Sequence, residues 1–144
     1  MTTVSDRDQI LALLDTWVKG FIDKDVATVV ATYAEDIVAF DAIQQLQFKG
    51  RDAYRAHWEF CMGLCEGKPI YETRERELQV DGNLAFAHYL SHCGGVDAQG
   101  NVQGCWCRVT QGFRKIEGRW LIVHEHFSFP IDLESNKALV DAQP

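Results

Sequence analysis

The segment between Thr110 and Pro130 limits the possible fold more than any other part of this chain. Its Glu117-Gly118 pair is typical of a two-residue turn that joins antiparallel strands, because such a turn needs backbone with positive φ. The pair predicts a hairpin between a strand at Phe113–Ile116 and a strand at Trp120–Phe129. Both faces of the second strand are largely apolar, so each must be covered. We expect one face to line a pocket and the other to meet a partner.

Side chains alternate along a strand, and this alternation divides the second strand into two faces. We expect His124 and His126 to point away from the pocket, as interface or packing residues, while Glu125 and Phe127 point into it. A β-bulge would overturn this assignment. The two predicted faces carry Trp120, Ile122, His124, His126 and Ser128 on one side, and Leu121, Val123, Glu125, Phe127 and Phe129 on the other.

The length of 144 residues predicts one domain over residues 1–144. The net charge of −7, without a basic run, argues against a nucleic-acid-binding surface, because that binding depends on neutralising phosphates with Lys and Arg. The polar N-terminus does not resemble a signal peptide, and no apolar run reaches the roughly 20 residues of a membrane span. We therefore expect a cytoplasmic protein with no membrane or nucleic-acid partner.

Five cysteines, an odd number, in a chain without an export signal predict reduced thiols. Cys61 and Cys65 fall in a helical pattern, whereas Cys105 and Cys107 fall in a strand pattern and face the same way. A Cys-x-Cys pair near histidines can bind a metal, but this spacing is not that of a zinc site and no second pair completes it. We expect buried thiols, no metal and no cofactor.

Three helical segments come before most of the strands. The first has a cap at Ser5 and an amphipathic stripe that includes Trp17. Helices followed by an antiparallel sheet, without β-α-β alternation, predict an α+β fold. The polar tail Ile131–Pro144 is expected to fray. The other predicted elements are a short helix from Val26, a strand at Asp36–Phe40, a helix at Arg51–Gly63, and strands at Tyr71–Val80, Leu84–Cys93 and Gln103–Lys115.

This order of elements resembles the nuclear-transport-factor-2-like superfamily over roughly Ser5–Pro130. The run Tyr33–Asp41, the helix start at Gly50-Arg51 and the closing hairpin FRKIEGRWLIVHEHFS carry the resemblance. It implies three N-terminal helices packed in a strongly curved mixed or antiparallel sheet, which forms a cone with an internal pocket. Three branches are similar: ketosteroid isomerases, SnoaL-like polyketide cyclases, and the association domain of calcium/calmodulin-dependent protein kinase II.

The isomerase branch uses an Asp general base with an oxyanion hole made by a Tyr and a protonated Asp. The resemblance places the base at Asp41, in YAEDIVAFDA, and the other two positions at Trp17 and Thr110. Two of the three positions therefore depart from the isomerase pattern. This departure disfavours steroid isomerisation, whereas Asp41 stays a candidate base.

The same register predicts an aromatic cavity with a few polar groups, which is the general make-up of a ligand site. Asp41 and His88 are its candidate catalytic residues. Each also has a plainer interpretation, since Asp41 can close a turn and His88 can be a hydrogen-bonded core residue. Arg108 and Glu125 can form a cross-strand ion pair instead of contacting a ligand. The predicted ligand-binding residues are Trp17, Tyr33, Trp58, His92, Trp106, Arg108, Thr110, Glu125 and Phe127.

Two functions remain open. The leading hypothesis is a domain that binds a small carbonyl or carboxylate compound, with Asp41 as the general base of a cofactor-free isomerase or cyclase. Trp17, Tyr33 or His88 would then donate a hydrogen bond to the developing oxyanion. The alternative is a non-catalytic association module like the kinase association domain, whose cavity is a by-product of the fold.

We also expect a homodimer through the back of the sheet. The predicted outer face at Ile122, His124 and His126 would expose a broad apolar patch. Patches of this kind usually mark an interface, and two-fold dimers are the commonest homo-oligomers.

Overall fold

Three helices precede most of a curved mixed sheet in the computed structural model, which describes residues 3–144. The α+β prediction is confirmed, and all three predicted helices are present. Ser5 caps the first helix, because its Oγ accepts a hydrogen bond from the Asp8 N–H at 3.1 Å. The helices are α1 (Asp6–Ile22), α2 (Val26–Val30) and α3 (Arg51–Leu64).

The main sheet has six strands in the order β2-β1-β6-β5-β4-β3. The β1 strand runs parallel to β6, and the other neighbours are antiparallel. This parallel pairing places β6, the last strand of the main sheet in chain order, next to β1, so that both strands contribute side chains to one interior. The strands are β1 (Tyr33–Phe40), β2 (Phe48–Lys49), β3 (Pro69–Asp81), β4 (Leu84–Val96), β5 (Val102–Ile116) and β6 (Arg119–Ser128).

The closing hairpin forms as predicted. Glu117 and Gly118 have φ angles of 50° and 80°, so both central residues of the turn have left-handed backbone. The alternation along β6 is nevertheless interrupted, because the register shifts between the Phe113–Ile122 pair and the Gly112–His124 pair. This irregularity is a β-bulge, which moves later side chains to the other face.

The bulge corrects the two predicted faces of β6. Trp120 and Ile122 are buried on the same side as Glu125 and Phe127, although the alternation assigned them to opposite faces. His124 and His126 remain on the outer side, where His126 is exposed. The predicted interface therefore loses Ile122, whose side chain belongs to the core.

The predicted inner faces of β4 and β5 are also wrong. The buried side chains of β4 alternate through Ala85, Ala87, Tyr89 and Ser91, and those of β5 through Cys107, Val109, Gln111 and Phe113. Most of these residues are small, because large aromatic side chains from the helices occupy the interior opposite them. The residues expected to line the cavity on these strands, which are His88, His92, Trp106, Arg108 and Thr110, therefore lie on the outer face.

The tail is ordered, contrary to the prediction that it frays. A small two-stranded sheet joins β7 (Ile131–Asp132) to β8 (Lys137–Ala138). Asp132 stabilises the connecting turn, because its Oδ2 accepts from the Ser135 N–H at 3.0 Å and from the Ser135 hydroxyl at 2.7 Å.

Within residues 3–144, no helix has the length and apolar character needed to cross a membrane.

Candidate functional site

An interior cavity of about 330 Å³ lies between the helices and the inner face of the sheet. We call it the inner cavity, and it is lined chiefly by aromatic and sulfur-containing side chains. Asp41 is the one charged side chain among the described residues of its lining. The aromatic side chains of the lining are Trp17, Phe21, Trp58, Tyr71, Phe127 and Phe129.

Asp41 directly follows β1 and is held by two donors, with the Tyr54 hydroxyl nearby. Its Oδ1 lies 3.4 Å from His57 Nε2 and accepts from the Ile43 N–H at 3.3 Å. Its Oδ2 lies 3.4 Å from the Tyr54 hydroxyl. The side chain is 11% exposed, so it faces the cavity without being open to bulk water. Asp41 thus closes a turn and also faces the cavity. The two interpretations from the sequence, a turn residue and a cavity residue, are therefore compatible in position.

His57 forms an ion pair with Asp41. Burial by itself lowers the pKa of His57, but its hydrogen bonds with Asp41 and Cys61 outweigh burial and raise the pKa to about 9. His57 is therefore an imidazolium at neutral pH. It is not among the predicted site residues, although it lies on α3 between Tyr54 and Trp58 of the predicted apolar face.

Glu125 is a fully buried carboxylate at the centre of the interior. Its Oε2 accepts hydrogen bonds from the hydroxyls of Tyr33 at 2.8 Å and Tyr54 at 2.7 Å, and its Oε1 accepts from Gln111 Nε2 at 2.6 Å. Burial raises the pKa of Glu125 to about 7 against the opposing effect of these hydrogen bonds. The predicted ion pair with Arg108 does not form, because Arg108 lies on the outer face and donates to Ser128 Oγ at 3.0 Å.

The hydrogen bonds around Glu125 also occupy two predicted donors. The indole N–H groups of Trp17 and Trp58 donate to the Tyr33 hydroxyl at 2.8 and 3.1 Å, and that hydroxyl donates onward to Glu125. Each of these groups already donates its hydrogen bond to another side chain of the protein. Trp17 and Tyr33 are therefore not available as the oxyanion donors that the sequence suggested, and His88 is on the outer face.

Tyr71 supplies the donor that the cavity otherwise lacks. Its buried hydroxyl makes no hydrogen bond of good geometry, a condition shared only by Arg76 Nε among the side chains of residues 3–144, although Tyr89 and Ser91 are close enough to affect its pKa. Burial chiefly raises the pKa of Tyr71 well above its ordinary value, so the hydroxyl keeps its proton. A buried hydroxyl without a well-aligned partner is less stable than a fully hydrogen-bonded one. The sequence pattern gives Tyr71 only as the start of a strand.

The structure brings together six of the predicted site residues and separates five. Those that meet in the interior are Trp17, Tyr33, Asp41, Trp58, Glu125 and Phe127. The remaining five lie on the outer face, where the rings of His92 and Trp106 pack 5.1 Å apart and Arg74 lies over Trp106.

The two shifted pKa values predict that stability falls as pH rises from about 4.5 to about 9. Glu125 has a raised pKa, so its stabilising effect is complete below 4.5 and is lost as pH rises through about 7. His57 acts in the same direction between 6.5 and about 9. Thermal unfolding across this range should show Glu125→Gln flattening the lower part of the curve and His57→Gln flattening the upper part. A wild-type melting temperature that rises with pH through both windows would contradict the assignment.

The comparisons with known proteins agree with this fold. A profile of the SnoaL-like domain matches residues 10–132. An NTF2-like protein of unknown function from Pseudomonas putida KT2440 is 43% identical, with a TM-score of 0.88 over 99% of this chain and 100% of the other. No curated protein matches the sequence.

Two more distant structures share the fold. One, from Xanthomonas campestris, is described as a calcium/calmodulin-dependent protein kinase II association domain; it is 22% identical, with a TM-score of 0.74 over 87% of this chain and 88% of the other. The second, from Streptomyces avermitilis, is described as a dehydratase of the NTF2-like family; it is 14% identical, with a TM-score of 0.74 over 85% of this chain and 95% of the other. With the profile match spanning most of its length, the chain belongs to the family of SnoaL-like domains and has the NTF2-like fold.

Proposed function

We propose that this protein binds a small apolar carbonyl compound in the inner cavity and moves a proton on it, with Asp41 as the general base. The observation that carries the proposal is a single carboxylate, 11% exposed, in a cavity whose lining is otherwise uncharged. Such a cavity is a ligand site of the usual kind, apolar with few polar groups. Its volume of about 330 Å³ limits the ligand to a small molecule.

The reaction that fits these groups is removal of a proton from the carbon next to a carbonyl. The Asp41 carboxylate takes the proton, and the electron pair moves onto the carbonyl oxygen. The Tyr71 hydroxyl lines the same cavity and makes no well-aligned hydrogen bond within the protein, which supports it as the donor to that oxygen. Return of the proton to another carbon isomerises the compound, and loss of a leaving group from the enolate gives elimination.

His57 is a positioning residue in this proposal. It lies 3.4 Å from Asp41 and does not line the inner cavity. Together with the Ile43 N–H, it holds the carboxylate in one orientation. Preorganisation of this kind lowers the cost of bringing the base to the reacting carbon.

The test is exchange of the α-protons of cyclohexanone for deuterium in D₂O, followed by proton NMR with and without the protein. Exchange needs only the base and a donor, so it does not depend on the natural substrate. We expect exchange faster than buffer with wild type and with Asp36→Asn, which removes an exposed carboxylate from the same strand. If the exchange rate depends only on the total concentration of protein carboxylates, and is the same for folded and unfolded protein, no single residue acts as the base and the proposal is refuted.

A second proposal concerns self-association through the outer face of the sheet. Leu84 and Phe86 are 54% and 45% exposed on β4, with His88 beside them. Apolar side chains gathered on one open face usually mark an interface. The structural similarity to a kinase association domain supports the same proposal. Association and ligand binding are compatible, because they use opposite faces of the sheet.

We expect wild type to sediment as a dimer at micromolar concentration and Phe86→Glu/His88→Glu to sediment as a monomer. The charged pair would be buried without partners in a sheet-to-sheet interface, which is costly. Leu133→Glu is the matched control, since Leu133 is 87% exposed and belongs to the tail rather than to a strand of the six-stranded sheet. A monomeric wild type would refute the association proposal and leave the cavity proposal intact.

A further inference from the structure

Four of the five cysteines line the inner cavity, and proton transfer at Asp41 uses none of them. All five are free thiols. Cys61 and Cys65 lie on the helical side of the cavity, and Cys93 and Cys107 lie on the sheet side. Cys105 is not part of the lining, although it is two residues from Cys107. The cavity is therefore unusually rich in nucleophilic sulfur for a site with one charged group.

Cys93 and Cys107 lie close together on the inner face, on neighbouring strands. In the register of β4 and β5, Cys93 pairs with Cys105, and Ser91 pairs with Cys107, so the two thiols are diagonal neighbours. The Oγ of Ser91, which is fully buried, lies 3.1 Å from Cys107 Sγ. The Ser91 hydroxyl is thus placed to donate a hydrogen bond to the sulfur of Cys107.

The pKa values of the two thiols shift in opposite directions. A hydrogen bond from the Cys93 thiol, with another from Ser91, lowers the pKa of Cys107 against the effect of burial. Its hydrogen bond with Cys107, together with burial, raises the pKa of Cys93. The thiolate is the nucleophilic form of cysteine, and the Ser91 hydroxyl at 3.1 Å is placed to stabilise it on Cys107 by a hydrogen bond.

We propose that the inner cavity takes an α,β-unsaturated carbonyl compound and that Cys107 adds to its β-carbon. The inference rests on the proposed function only in that the ligand is a carbonyl compound. Tyr71 and Cys107 line the same cavity, and the sheet holds them near each other, because Tyr71 pairs with Cys93 and Cys107 pairs with Ser91 of the same β4 strand. If the carbonyl oxygen accepts a hydrogen bond from Tyr71, the conjugated carbons of the ligand lie beside the sheet residues that include Cys107.

The addition balances without another reactant. A bond forms between Cys107 Sγ and the β-carbon while the carbon–carbon π bond breaks, and its electron pair moves through the α-carbon to the carbonyl oxygen. The resulting enolate takes up one proton at the α-carbon, which replaces the proton that the thiol lost. The product is a thioether whose mass is the sum of the protein and the enone.

The probe is 2-cyclohexen-1-one, with intact-mass measurement over time and peptide mapping of the modified cysteine. We expect the first adduct on Cys107, although its side chain is 4% exposed, and ahead of Cys105, which is outside the cavity. Cys107→Ser should remove this first adduct. Ser91→Ala should slow it about fivefold, the effect of one hydrogen bond of roughly 1 kcal/mol. Cyclohexanone, which has the same ring and carbonyl but no conjugated β-carbon, should protect Cys107 by occupying the cavity.

Each result decides one proposal. Modification of Cys105 before Cys107, or a first adduct that survives in Cys107→Ser, overturns the thiol inference. If Cys107 stays unmodified while cyclohexanone still exchanges its protons in an Asp41-dependent manner, the proposed function stands and the thiol inference fails. If Cys107 reacts and Asp41-dependent exchange is absent, the thiol inference stands and the general-base role fails. Thermal unfolding of Cys107→Ser and Ser91→Ala verifies that both variants remain folded.

Discussion

Replacement of Asp41 by asparagine is expected to lower the rate of α-proton exchange on a cyclic ketone by about 10²- to 10⁴-fold, the usual contribution of a positioned base. Asparagine has the same shape and keeps an oxygen for the Ile43 N–H, but an amide does not accept a proton at neutral pH. Ligand affinity should change little, since the aromatic lining is untouched. The measurement is the initial exchange rate by NMR at several ketone concentrations, which separates turnover from binding.

Two variants make this prediction specific to the site. Asp36→Asn removes an exposed carboxylate from the same strand and should exchange like wild type. His57→Gln removes the ion-pair partner of Asp41 and should give a smaller reduction, with a changed dependence of the rate on pH. An Asp41→Asn protein that exchanges at the wild-type rate would show that the base lies elsewhere.

Replacement of Glu125 by alanine is expected to destabilise the fold by about 3 to 5 kcal/mol, because it leaves buried hydrogen-bonding groups without their partner. The hydroxyls of Tyr33 and Tyr54 and the amide of Gln111 all donate to this carboxylate. The change also leaves a cavity where the side chain was. The measurement is the free energy of unfolding from urea titration.

Glu125→Gln is the informative comparison, and a smaller loss is expected. The new amide oxygen can accept from both tyrosines. The Gln111 amide can then turn over, accepting from the new NH₂ group and donating to the Tyr89 hydroxyl, which at present donates to Gln111 at 2.9 Å. Glu77→Ala, which removes an exposed carboxylate from β3, is the surface control. Equal stability of Glu125→Ala and Glu77→Ala would contradict the central role of this network.

The sequence predicts local structure where one signal is sufficient. Ser5 marks the start of α1, and Glu117-Gly118 marks the turn of the closing hairpin, because each acts through its own backbone and close neighbours. Which face of a strand points inward depends on the partners across the sheet. His88 shares a strand with small residues such as Ala87, and the small residues are inside because the helices supply the large rings.

The candidate site was predictable where a residue could be placed by a motif or by the periodicity of its own element. Asp41 is placed by the run that starts at Tyr33, and it lines the cavity. His57 and Tyr71 have no such signal, since their importance comes from what lies beside them after folding. The apolar pattern around Val123 also gives no sign of the bulge in β6. Strict alternation along the strand therefore assigns Ile122 to the wrong face.

The parallel pairing of β1 with β6 has a consequence for how the interior is made. Tyr33 and Glu125, which are joined by a hydrogen bond, are 92 residues apart in the chain. During synthesis on a ribosome, Trp17, Tyr33 and Trp58 emerge long before the carboxylate that completes their network. Contacts this distant in sequence slow folding, because the intervening chain must close before they form. The helices and the first strand of the nascent chain therefore expose their aromatic side chains until β6 has been synthesised. A chaperone would find the largest exposed apolar surface during this interval.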